Sequence, residues 1–584
     1  MVMPPTSDPI SSILPGLVLT ILIIAVPLAF FASIGLLKLY RRAVIRAMAK
    51  RVREQPAEPI APDSSMPSHE TFERSLEISV LEPGPRIAES AESGSLYENL
   101  VRAPWRAAAI YGVAGLCYAL MMTIVFVAAS EGGFYPIRFL VLFWYYAWPV
   151  VVTVWLVVAT TWRTRFILLL IYFFILVFLA AIAVATNSVL NWRQLALLWL
   201  LTNLVVVLVL LAFLNRKIRA VGPLVLAFTI IAVTGSLFTP LFIDNNRRLL
   251  SFLINVGDSL GLGVSGLFVG LFLLGFLVFG SIGWLVLQMI GGWYRNKHIS
   301  EQSITLDAIW LLFGIFQSIG LIFEGERWFL ASLLSFLVYK LVAWAGFAIV
   351  FRNRPASRTH PKLLVLRVFS LGTRSERLFD VLAMHWRFVG SIRLIAGPDL
   401  ATTTIEPHEF LDFLSGKLAR QFIDNAQTLD LRISQMDLRP DPDGQFRVND
   451  FFCYDDTWRM VLSRLVRESD AVIMDLRGFS SQNAGCIFEI NELFNLMPLE
   501  RVVFIIDHST DEPFLRQVLQ QSWDRMSPAS PNRLSDSGTL NLLHLNRLGA
   551  AELESLLQVL SSAVKSPSET PVFTQPTVSG FKSS

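Results

Sequence analysis

Charge is what this sequence has least of. Only 16% of its 584 residues are Asp, Glu, Lys or Arg, where a typical soluble domain carries roughly 25%. With 53% hydrophobic residues gathered in long runs, that deficit excludes an ordinary soluble enzyme. Cysteine is almost missing. Cys117, Cys453 and Cys486 make neither a disulfide framework nor a Cys-x-x-Cys metal pattern, and they fit a reducing compartment for the later half. The seven histidines show no His-Glu-x-x-His spacing, so no structural metal site is expected. A dense basic stripe is absent, which argues against nucleic acid as a partner.

What is present changes character near residue 352. Before it run long apolar stretches; after it comes ordinary α/β-patterned sequence. A bilayer-spanning helix needs about 20 apolar residues. The runs predict spans near 13–37, 107–129, 137–161, 166–186, 194–214, 220–242, 266–291, 307–325 and 329–351. The stretch 249–264 is short and broken by glycines, and reads as interfacial or re-entrant. The first run has no basic residue before it and is too long for a signal peptide's apolar region, so it is expected to be a retained anchor.

Basic residues follow the first span at Lys38, Arg41, Arg42 and Arg46, and recur at Arg163, Arg216, Lys217, Arg295, Lys297 and Arg352. The positive-inside tendency then places the N-terminus outside and the C-terminal half in the cytoplasm, in a membrane expected to be a bacterial inner membrane. Arg193, Arg247 and Arg248 run against that pattern. The expected organisation is a first transmembrane helix (1–37), a flexible Pro/Ser/Glu-rich cytoplasmic loop (38–106), a helical bundle of about eight spans (107–351), an α/β domain (355–565) and a disordered tail (566–584).

Within the membrane half, Lys340 stands near the middle of the last predicted span. A charge there costs about 3 kcal/mol on insertion scales. It is expected either to mark a site or to snorkel or pack against a polar group such as Gln317. The glycines at 257, 261, 266 and 270 have the small-xxx-small spacing of close helix packing.

After residue 360 the periodicity alternates. Strands are predicted at 362–370, 391–397, 471–477, 501–507 and 540–545, with helices at 373–386, 407–423, 456–468, 485–497, 512–522 and 549–563. The segment 430–450 is ambiguous, with a turn at Pro440–Gly444. Such alternation implies a three-layer α/β domain of flavodoxin-like type with a mostly parallel sheet. Ligands bind such sheets beyond the carboxyl ends of the strands. There Ser370 and the turn around Gly372 could hold phosphate through backbone N–H groups, and Arg374 or Arg477 could pair with it. Glu489, early in the helix after a strand, could stabilise a cationic sugar transition state, or sit there because a helix N-terminus favours a carboxylate. His385, His408 and His508 read as ordinary surface or loop residues.

Two stretches carry a resemblance. VFSLGTRSERLFDVL (368–382) resembles the first strand and loop of TIR domains. SDAVIMDLRGFSSQNAGCIFEINELF (469–494) resembles their later strand, serine loop and Cys-x-x-Glu helix, with Ser480, Ser481, Cys486 and Glu489 in that pattern. The same stretch is similar to nucleoside deoxyribosyltransferases, with Gly485 and Glu489 at the matching spacing. The resemblance implies a TIR-like fold and a catalytic Glu489 acting on a ribose–base bond. It further implies NAD or a related nucleotide as substrate or ligand, with no other cofactor required. Nucleotide contacts would come from Phe369, Ser370, Gly372, Arg374, Asp475, Arg477, Ser480 and Ser481, and the protein would act in self-associated form. The departures are Gly485 where TIR domains carry tryptophan, and Asn491 where the transferases carry glycine. The expected function is therefore a membrane protein displaying a TIR-like domain that binds or hydrolyses a nucleotide or signals by self-association. The alternatives are a non-catalytic sensing or interaction module and, weakest, a transporter with a regulatory domain.

Overall fold

The structure, a computed structural model, describes residues 9–54, 75–83, 95–130, 133–158, 162–187, 191–213, 216–244, 246–322, 324–351, 360–368, 373–396, 405–534, 537–546 and 548–565. The predicted tail, and part of the predicted 38–106 loop, lie outside these residues. The chain divides into two compact units. One takes the described residues of Met1–Ser64, Glu98–His360 and Phe369–Val461; the other takes those of Ser65–Tyr97, Pro361–Val368 and Leu462–Ser584.

The first unit holds the apolar helices: α1 (Pro9–Glu54), then, after a strand β1 (Ser75–Leu81) of the other unit, α2 (Ser95–Ala129), α3 (Pro136–Ala147), α4 (Pro149–Val157), α5 (Trp162–Thr186), α6 (Trp192–Phe213), α7 (Arg216–Asp244), α8 (Arg247–Ser259), α9 (Gly263–Arg295), α10 (Glu301–Ile322) and α11 (Glu326–Phe351). Among the described residues, eight helical stretches are long and apolar enough to cross a membrane. They match eight of the predicted spans, and the 22-residue α6 covers the ninth. The predicted span 137–161 is one stretch broken at Trp148–Pro149, because proline lacks the N–H that would continue the ladder. The predicted loop after residue 37 begins as helix instead. Helix α1 runs on through its basic residues to Glu54, where lysine, arginine and alanine are good helix formers.

Of the predicted glycines, Gly257 is buried against Leu267 of α9, but the tightest backbone approach in the bundle comes elsewhere. Gly261 and Gly270 have open space around them, whereas a Cβ at Gly275 would lie 2.6 Å from the Gly235 carbonyl oxygen of α7. Small residues at such crossings let backbones touch, which is the main packing device in an apolar phase. One cluster of polar groups in the bundle is mutually satisfied. The Trp148 indole donates to Asn203 at 2.7 Å, and Gln317 donates to Asn203 at 3.1 Å and accepts from Tyr145 at 3.1 Å.

Beyond the helices, the first unit carries α12 (Thr373–Trp386), β3 (Ser391–Ala396), α13 (Pro407–Leu414), β4 (Phe422–Ile423), α14 (Ala426–Ser434) and β5 (Val448–Cys453). Strands β3 and β4 both pair in parallel with β5. The predicted helix 407–423 thus stops after two turns at Ser415–Gly416, where Gly416 takes φ +70°, and its end becomes β4. The ambiguous 430–450 segment ends in β5.

The second unit holds β2 (Lys362–Arg367), β6 (Ala471–Asp475), α16 (Ala484–Leu496), β7 (Val502–Ile506), α17 (Glu512–Asp524), β8 (Ser537–His544) and α18 (Ala550–Lys565), while α15 (Trp458–Arg467) bridges the division in sequence. Its strands run in the order β1-β8-β7-β6-β2, and every pair is parallel. Strands β6 and β7 are buried throughout, as expected of parallel strands covered on both faces. The first strand is a correction to the flexible loop. Ser75–Leu81 pairs in register with Ser537–Leu543 at the sheet edge, and its alternating Leu76, Ile78 and Val80 supply the apolar residues a strand needs.

Within the expected 355–565 domain, residues 369–461 group with the helices in the first unit. The reason is a set of charged and close-packed contacts with the ends of α9 and α10.

Candidate functional site

In the second unit, the loop after β6 turns at Gly478 (φ +70°) and feeds α16. Ser480 donates through its backbone N–H and hydroxyl to Asn483, while Ser481 is exposed. Glu489 is only 3% exposed, and its Oε2 has no hydrogen-bond partner. Burial pushes its carboxyl up to about 8, against the pull of the Arg367 charge. Cys486 is packed, its thiol held protonated by burial and by Glu489 and Asp475. Asp475 and Arg477 form a two-pronged ion pair at 2.8 and 2.8 Å. Although burial disfavours its charge, the Arg477 guanidinium is held charged by Asp475 and Asp507. Asp507 accepts from Ser509 in its own turn. The predicted residues Glu489, Asp475 and Arg477 therefore share one unit, but the last two are engaged with each other. Arg374 is exposed on α12 in the other unit, and Phe369, Ser370 and Gly372 lie outside the described residues.

The first unit builds a second charged centre, where the end of α9 meets the 437–450 segment. Helix α9 closes in a left-handed turn: His298 N–H donates to the Trp293 carbonyl, and Lys297 takes φ +59°. A lysine in that region is strained relative to glycine. Its side chain is fixed by Asp437 at 2.8 Å, Asp441 at 3.6 Å and the Arg439 carbonyl. Arg447 pairs with Asp441 at 2.9 Å, donates to the Tyr294 carbonyl and lies 3.8 Å over the Tyr294 ring. Such a stacked, forked contact suits arginine and not lysine. Ser300 donates to Asp443, and Arg387 pairs with Glu301 at 3.2 Å. Gly444 takes φ +81°, and a Cβ there would lie 2.5 Å from Phe351.

Electrostatics at this joint follow burial. The Asp441 carboxyl is pushed up to about 6 by burial, with Arg447 opposing and Asp443 adding to the rise. Asp443 rises by burial against its bond from Ser300. Glu409 is driven well above the usual range by burial and then by Asp450 and Glu406. Glu406 goes the other way. Burial raises it, but the His408 hydrogen bond and the charges of His408, Arg447 and Arg387 outweigh that.

Two cavities adjoin the joint. One, of about 440 Å³, is lined by polar residues including Arg295, Glu409, Arg432, Arg439 and Asp450. The other, of about 540 Å³, runs from Asp441 and Asp443 past Phe351 and Tyr111 to Asp307 and Lys340. There Lys340 is corrected: its partner is Asp307 at 2.6 Å, while Gln317 belongs to the Asn203 cluster. The histidines also differ from the surface reading. His385 is buried, against the Leu100 carbonyl, and His408 stacks on Tyr294; only His508 is exposed.

Sequence reasoning missed Asp307, Glu409 and the Lys297–Asp441–Arg447 network. The turn at Pro440–Gly444 and the basic pair Arg295/Lys297 were its visible traces. Among the described residues, no group of three His, Cys, Asp or Glu side chains is arranged to hold a metal ion. By its geometry the chain is a multi-helix protein of membrane-crossing dimensions that carries parallel α/β sheet. Searches of protein-family models, curated proteins and solved structures each found no match to it.

Proposed function

We propose that this chain is an integral membrane protein whose α/β portion is a sensing or interaction module wired into its membrane helices. One observation carries the reading: the end of α9 and the 437–450 segment are interlocked by buried ion pairs, a stacked arginine and a glycine contact, all within one compact unit. A tethered enzyme needs only a linker. A module that must pass a change of state to helices needs a stiff contact with two alternative arrangements. Buried ion pairs contribute little net stability but specify geometry, which is the property such a joint requires. The basic residues at the helix ends support an orientation with the α/β portion cytoplasmic, and its parallel sheets suit the flavodoxin-like, TIR-like arrangement.

The test is hydrogen exchange on the full chain in lipid nanodiscs. Arg447→Met should raise exchange at 437–450 and at 291–303 together. Faster exchange at 437–450 alone would mean the helices do not sense the module.

A second reading has its own observation. Glu489 is a buried carboxyl shifted to about 8 with an unpartnered oxygen, a state associated with functional acids. On this reading the TIR-like unit cleaves the N-ribosyl bond of NAD or a related nucleotide, working in self-associated form. Release of nicotinamide from NAD by the purified chain, lost in Glu489→Gln, would support it. No release at any protein density would refute it.

A further inference from the structure

The 440 Å³ cleft beside the joint has an excess of positive charge that the joint does not consume. Lys297 and Arg447 are committed to Asp437 and Asp441, and Glu406 is committed to His408 and the Tyr294 hydroxyl. Arg295, Arg432 and Arg439 remain. Among the described residues none of these three guanidinium groups makes an ion pair or hydrogen bond, although Arg432 lies within electrostatic reach of Glu409. They come from three elements: the last turn of α9, helix α14, and the turn before β5. On the floor is Glu409, 2% exposed, beside the buried Asp450.

We propose that this cleft binds a phosphate-bearing molecule, with Arg295, Arg432 and Arg439 around the phosphate and Glu409 beneath it. Guanidinium groups present paired N–H donors at the spacing of phosphate oxygens, and charge-assisted bonds of this kind are the strong ones. A volume of about 440 Å³ is within the range of small-molecule sites. Burial and Asp450 hold Glu409 toward its neutral form, so it adds a hydrogen-bond donor without repelling the anion. The Asp437 charge is cancelled by Lys297, which leaves Asp450 as the acidic group opposing the ligand. Because Arg295 belongs to α9 while Arg432 and Arg439 do not, an occupied cleft would pull the same two elements together that the joint connects. The proposal rests on the sensing reading and supplies its ligand class. The phosphate could be free in solution or the headgroup of an anionic lipid, since Arg295 ends a membrane-length helix.

The test uses the full chain in nanodiscs and inorganic pyrophosphate as probe, followed by calorimetry. In phosphatidylcholine discs we expect saturable binding, weakened about tenfold in Arg432→Gln and in Arg439→Gln, each of which removes a charge-assisted contact. Arg439 is exposed, so its variant keeps the fold, and Arg516→Gln in the other unit should bind as wild type. Repeating the titration in discs containing phosphatidylglycerol separates the sources. Lost pyrophosphate binding there assigns the cleft to a lipid headgroup, and unchanged binding assigns it to a soluble phosphate. Absence of saturable binding in phosphatidylcholine discs, or affinity in both cleft variants equal to that of Arg516→Gln, overturns the proposal. Neither result would touch the hydrogen-exchange test of coupling, which uses no ligand.

Discussion

Replacing Arg447 with methionine is the sharpest perturbation of the joint. Methionine keeps an unbranched stem against Tyr294 but removes the charge and the fork. It strands Asp441, whose side chain is fully buried. Removing one partner of a buried pair costs about 3–5 kcal/mol when the other must stay charged. Asp441 has an escape, because its carboxyl already titrates near 6 in place of 3.8. That existing shift corresponds to about 3 kcal/mol of burial cost at neutral pH.

The sign follows from proton counting. An acid whose folded value is raised binds more protons folded than unfolded, so its contribution to stability falls as pH rises from about 4 to about 6 and is flat above. Loss of Arg447 raises the folded value further and extends the fall to higher pH. The variant should therefore be nearly tolerated at pH 5 and clearly loosened at pH 8. The readout is hydrogen exchange at the amides of Asp441, Gly444 and Phe446, which bond to Gln445, Asp441 and Arg387 carbonyls. A local loss of about 3 kcal/mol speeds exchange about a hundredfold. Equal exchange in variant and wild type at pH 8, or the same acceleration at pH 5 and pH 8, would refute the reasoning.

Four further outcomes follow from the same physics. Lys297→Gly relieves the left-handed strain but severs the Asp437 pair; α9 should stay helical by circular dichroism while exchange at 437–441 rises. Gly444→Ala meets both a positive φ and Phe351 at 2.5 Å, and should lower the thermal midpoint markedly, whereas Gly485→Ala, with nothing within 4 Å of the added Cβ, should leave it near wild type. Lys340→Leu leaves Asp307 in the bundle without its cation and should cost about 2 kcal/mol after allowance for partial exposure; Asp307→Leu/Lys340→Leu should recover most of it, and a double variant worse than the single would contradict the pairing. Glu489, raised to about 8, should make the second unit lose about 3 kcal/mol between pH 5 and pH 7, and Glu489→Gln should flatten that dependence in a pH series of denaturant unfolding.

The membrane-length helices were legible because twenty apolar residues have few other fates. The strands β2, β3, β6, β7 and β8 were legible because buried parallel strands read as short apolar runs. What escaped was set by distant contacts. Strand β1 lies in a Pro/Ser-rich stretch, and only its pairing with β8 makes it a strand. Asp307 looked like a span boundary, because nothing local says that Lys340, far along the chain, needs it. Lys297 read only as a basic residue at a span end and 430–450 only as an ambiguous segment with a turn, since one chain gives no sign of charges meeting across more than a hundred positions. Glu489 was found by its place after a strand, but its burial and its missing partner are properties of packing.

The most direct measurement is the distance between spin labels at Asn296 and Leu438, on the full chain in nanodiscs. If the end of α9 and the 437–450 segment are one rigid joint, the distribution is a single narrow peak that broadens in Arg447→Met. A broad distribution in the otherwise wild-type chain would show that no such joint exists.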